Sequence, residues 1–170
     1  MDIPDEAWAR EAPHLREILL FLSVHLDRTP GVLWPEYDNP AFGGADETGA
    51  GSAGGGVCPE QASRFTADLA SLTGLSVRLD RVATAGAVPG ADADEAWTGQ
   101  PGGREHLLIH QLAGAVTWQL SGAGRSGRPE TFQCRLRPGE LLYVPAGWSR
   151  RRVGAPRARY VIICLGSKGE

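Results

Sequence analysis

The chain has 170 residues, 42% of them hydrophobic, and a formal net charge of -3, which suits one domain with a modest core and gives no electrostatic reason to expect nucleic acid as a partner. No stretch approaches the roughly 20 apolar residues that a membrane span needs, and the acidic start lacks the basic opening of a secretory signal, so a cytoplasmic protein is expected. The cysteines Cys58, Cys134 and Cys164 are scattered without a C-x-x-C spacing, which reads as reduced thiols and excludes a disulfide framework or a cysteine zinc site.

Residues 5–26 carry a helical stripe of Leu15, Ile18, Leu19, Leu22 and Leu26, with Pro13 marking a start or a kink. Thr29-Pro30-Gly31 stops it, and the apolar segment 32–37 that follows shows no period. Residues 43–56 read GGADETGAGSAGGG, a low-complexity loop with no large side chain to bury; a lid over a pocket is its functional alternative. Residues 59–74 form a second helix, with Pro59 in its first turn and Ala62, Phe65, Leu69 and Leu72 as its apolar stripe. The pattern then changes to short strands, expected at 75–83, 105–113, 115–121, 130–136, 140–144, 149–153 and 159–165, separated by glycine and proline turns. Short strands at regular spacing after two helices imply a small β-barrel or sandwich with helices on one side.

One segment is more specific than the rest. Pro138, Gly139, Leu142, Tyr143, Val144, Pro145, Gly147 and Trp148 fit a P-G-D-x-L-Y-V-P-x-G-W-x-H pattern. That pattern is the second motif of the JmjC-like bacterial cupins, which this chain resembles. Gln111, Gly114 and Trp118 resemble the family's Q-x-x-G-x-x-x-W hairpin, and 65–77 is similar to its helix-to-strand entry, so the resemblance covers roughly residues 60–165. It implies a mainly β fold, a cupin double-stranded β-helix barrel of jelly-roll type with two N-terminal helices. The whole chain is then one domain: a helical region to residue 42, the glycine-rich loop 43–58, a helix 59–74 and the barrel 75–166.

Active members of the family hold iron(II) through an H-x-D pair and a later histidine. Here the H-x-D positions fall near Pro101 and Gly103, and the later histidine is Arg150. None of these is a metal ligand, so neither metal nor cofactor is expected. If odd positions face inward, Glu105, Leu107, Ile109 and Gln111 line the barrel while His106 and His110 point away. A relocated metal site built from Glu105, His106, His110 and Asp92 or Asp94 is the alternative.

Arg150 and Glu105, with Arg152 sharing the inner face and Arg151 outside, suggest an arginine-centred pocket for a small, anionic organic molecule or peptide. Arg150, Glu105 and Tyr143 are the catalytic candidates; Arg152, Gln111, Trp148, Trp118 and Trp34 are the substrate-binding candidates, with Trp97 as a further apolar wall. Three functions remain open: a metal-independent tailoring isomerase, cyclase or lyase of natural-product biosynthesis; a non-catalytic binding or partner subunit; and an iron and 2-oxoglutarate hydroxylase with displaced ligands. A homodimer is compatible with any of them. The arginine-rich last quarter is otherwise a solvated surface.

Overall fold

The computed structural model describes residues 12–42, 57–84, 103–124, 127–153 and 158–166, with the backbone alone at 81–84. Helix α1 (Pro13–His25) begins on its proline, whose missing N–H costs nothing at a helix start. Strand β1 (Gly31–Leu33) and helix α2 (Pro59–Thr73) follow. Then come β2 (Ser76–Thr84), β3 (His106–Ala113), β4 (Val116–Ala123), β5 (Pro129–Leu136), β6 (Leu141–Val144), β7 (Ser149–Val153) and β8 (Arg159–Gly166). The expected strands are met to within one or two residues. Strand β1 is the addition: at 3 residues it is too short to show a period, and pairing with β6 makes it a strand.

The described residues are thus mainly β, with two helices. A five-stranded sheet runs β1-β6-β3-β8-β2 and a three-stranded sheet runs β5-β4-β7. All the ladders are antiparallel. Strands β6, β7 and β8 alternate between the two sheets.

Strand alternation divides the core into two layers. Ile109, Leu142, Val144 and Ile162 from the larger sheet meet Val116, Trp118, Leu120 and Leu136 from the smaller one. On the other face of the larger sheet, Leu108, Tyr143, Val161, Ile163 and Leu165 pack under the helices, against Leu15, Leu19, Leu22, Phe65 and Leu69. The helix stripes read from the sequence are therefore the surfaces that cover this sheet. Residues 5–11 of the expected first helix, the loop 43–56 and Asp92, Asp94, Trp97 and Pro101 lie outside the described residues.

Candidate functional site

Strand β7 carries the arginines. Arg150 stands opposite Leu120 and Arg152 opposite Trp118. Directly opposed residues of an antiparallel pair share a face, so both arginines lie on the inter-sheet side. Arg152 holds its guanidinium carbon 5.9 Å from the centre of the Tyr160 ring, and Tyr160 meets Trp118 edge to face at 5.2 Å. Arg151, on the opposite face, donates from Nε to Gln119 Oε1 at 3.0 Å. At the other end of the layer Trp148 packs across β4. A methyl group at Gly122 would come within 2.4 Å of its ring, so only glycine admits the tryptophan. Burial raises the Cys164 thiol pKa, and Arg78 and Arg150 lie near enough to oppose that shift.

The chain enters β7 through the turn at 145–148. Gly147 has φ +80°, a left-handed conformation that glycine accepts without a Cβ clash, and its N–H donates to the Gly103 carbonyl at 2.9 Å. That bond joins the turn before β7 to the residues just before β3. At the positions where the resemblance would place iron ligands, Gly103 has no side chain, Pro101 no donor, and Arg150 is a cation, whereas iron(II) takes imidazole or carboxylate.

Several sequence-chosen residues sit elsewhere than expected. Glu105 precedes β3 and is exposed, and its carboxylate accepts Nη2 of Arg78 at 2.8 Å and Nε at 3.3 Å. Arg78 stands opposite Cys164, on the inter-sheet face, so the carboxylate keeps its expected side but is engaged in a solvent-exposed ion pair. Gln111 is fully buried, but its amide donates to the carbonyls of Ala113, Gly114 and Arg159 at 2.8, 3.3 and 3.2 Å. It clamps the β3–β4 turn and offers nothing to a substrate through those bonds. Trp34 is 69% exposed and lies outside the inter-sheet layer. Trp118 and Trp148 are within it.

Tyr143 faces the helices, not the inter-sheet layer. Its hydroxyl lies 2.8 Å from His106 Nδ1 and accepts the Asp27 N–H at 3.1 Å. His106 Nδ1 also accepts the Ala146 N–H at 3.0 Å, and Nε2 lies 3.1 Å from Asp27 Oδ1. The directions are forced. An Nδ1 that accepts from an amide carries no proton, so Nε2 holds it and points it at Asp27. Burial lowers the His106 pKa against the opposing pull of Asp27, which agrees with a neutral ring. The network ties the turn after α1 to the turn before β7, and burial pushes the Tyr143 hydroxyl up to about 12, an unlikely acid or base. Tyr143→Phe is expected to cost about 1–2 kcal/mol by leaving the Asp27 N–H short of a partner, read as a lower urea midpoint with an unchanged slope.

His110 also faces the helix layer, away from the inter-sheet side as its strand parity predicts. It is 6% exposed, its ring lies 5.2 Å from that of Phe42, and its Nδ1 has no hydrogen-bond partner. Burial lowers its pKa to about 4. It borders a cleft of about 610 Å³ between α1, segment 34–42 and the β3 and β6 ends. The expected alternative set of Glu105, His106 and His110 does not assemble. Among the described residues no three His, Cys, Asp or Glu side chains gather to hold a metal.

No protein-family model matches the sequence, and no curated protein matches it. Solved structures that resemble parts of the chain include the following two. One is Streptomyces albus HEPD with 2-hydroxyethylphosphonate and Fe(II) bound, at 20% identity and a TM-score of 0.35 over 41% of this chain and 15% of that one. The other is YcfD, a ribosomal oxygenase from Escherichia coli, at 20% identity and a TM-score of 0.33 over 39% of this chain and 19% of that one. The chain thus matches less than a fifth of either protein's length. No helix among the described residues is long and apolar enough to cross a membrane.

Proposed function

We propose that the chain is a metal-independent cupin-type barrel that binds a small organic molecule or peptide, bearing an anionic group, between its sheets. The alternation of β6, β7 and β8 between the sheets supports the double-stranded β-helix winding. The observation that carries the functional reading is the bond from Gly147 to Gly103. It supports the pairing of the two positions that the resemblance picks out, where this chain has a glycine and, three residues after Gly147, a guanidinium. Two guanidinium side chains on the inner face, Arg150 opposite Leu120 and Arg152 opposite Trp118 and over Tyr160, suit a carboxylate or phosphate with an apolar body.

Binding is favoured over catalysis for a specific reason. Glu105 is engaged with Arg78, and Tyr143 points into the helix layer, so neither acid–base candidate supports a proton-transfer role in the barrel. The test is titration with benzoate as a minimal anionic probe, followed through backbone amide shifts. The expected result is shifts on β4, β7 and β8, with affinity reduced about tenfold or more in Arg150→Ala. Unchanged affinity in that variant would remove the arginine from the site.

A further inference from the structure

We propose that the cleft outside the barrel, over His110, is a second binding site, for a small protonated amine with an aromatic or apolar body. Its volume of about 610 Å³ lies within the range of small-molecule sites. Its lining includes the His110 ring, tilted at 37° against that of Phe42. That imidazole is buried and its Nδ1 is unpartnered. Burial also holds it neutral near physiological pH, so it adds no positive charge to the cleft.

The wall is aromatic and acidic. Trp34 and Tyr37 border the cleft and are both largely exposed. Asp38 and Glu140 border it too, and no lysine or arginine appears among the described lining residues. Exposed aromatic faces beside carboxylates attract a cation twice over, through the ring quadrupole and through charge. His14 in the first turn of α1 also lines the cleft, and burial lowers its pKa, so the carboxylates set the sign of the charge and favour a ligand opposite in charge to the one assigned to the barrel.

The wall is also held in place before any ligand arrives. The Glu17 carboxylate on α1 accepts the backbone N–H groups of Glu36 at 2.9 Å and Tyr37 at 3.3 Å, and Asn39 Oδ1 accepts the Ala41 N–H at 3.0 Å. The segment bearing Trp34, Tyr37 and Asp38 is therefore fastened to the helix and to itself. A pre-formed wall spares a ligand the entropy of ordering it.

The experiment titrates the full chain with phenethylammonium and, separately, with 3-phenylpropionate, a similar body of opposite charge, near neutral pH. Amide shifts locate binding and calorimetry measures it. Phenethylammonium is expected to shift residues 34–39 and 110–112 with a Kd of order 1 mM, and 3-phenylpropionate to bind this cleft about tenfold more weakly or not at all. Trp34→Ala, at an exposed position that leaves the fold intact, should weaken the amine about tenfold, and Asp38→Asn several-fold. Absence of amine binding, equal affinity for the two probes at the cleft, or full affinity in Trp34→Ala would each overturn the proposal.

Discussion

Trp118→Ala is expected to destabilise the protein by about 3–5 kcal/mol, the usual cost of emptying a buried tryptophan site. The side chain is 2% exposed and forms the centre of the inter-sheet layer. It meets the Tyr160 ring edge to face and shares its face of the sheet with Arg152 across β7. Removing it leaves a void between two sheets whose backbones are fixed by their ladders, so relaxation cannot fill it. Against the roughly 5–15 kcal/mol that holds a small domain together, this loss brings the fold near its limit. Trp118→Phe should cost less, because the indole Nε1 has no hydrogen-bond partner and its removal relieves a buried donor. Urea unfolding of the two variants checks both expectations. A tryptophan that merely walled an open pocket would tolerate truncation to alanine with little loss.

Stability should fall steeply as the solution is acidified from about pH 6.5 toward pH 4. Burial lowers the His110 pKa to about 4, from the ordinary histidine value of about 6.5. Between these values the unfolded chain binds a proton that the folded chain refuses, so unfolding is favoured as pH falls. The contribution is complete above the unfolded value and is lost by the folded one, amounting to about 3 kcal/mol. His106 acts in the same direction, since burial lowers its pKa too and protonating Nδ1 would set it against the Ala146 N–H. Denaturant midpoints measured across this range in the native chain and in His110→Phe separate the two. The variant should lose the larger share of the acid dependence that carboxylates do not explain, and an identical pH profile would contradict the burial of a neutral imidazole.

Much of the architecture could be read from the sequence because it rests on local signals. Leu15, Ile18, Leu19 and Leu22 lie on one helical face, and that face is the one buried. The strands from β2 onward are bounded by glycine and proline, and the inward and outward alternation of Leu107, Leu108 and Ile109 divides them between the two layers. Strand β1 was not legible, since three residues carry no period and β6 supplies its reason to exist.

The site was less legible because its chemistry depends on partners far away in sequence. Glu105 looks like an inward residue by parity, but Arg78, 27 residues earlier, captures it. Tyr143 sits within the most specific motif, yet parity alone would have turned it toward the helices: it neighbours Leu142 and Val144, which fill the inter-sheet layer, and it pairs with Leu108. Gln111 does take the expected side of β3, but its amide nitrogen is spent on the carbonyls of Ala113, Gly114 and Arg159, at the junction of β3, β4 and β8. The cleft over His110 had no sequence signal beyond the aromatic residues Trp34 and Tyr37, which carried no period.

The central claim is that the barrel works without a metal, and elemental analysis of protein purified without a histidine tag tests it most directly, before and after anaerobic incubation with iron(II). The account predicts metal far below one ion per chain in both samples after desalting. Near-stoichiometric iron, zinc or nickel retained by the chain would contradict it.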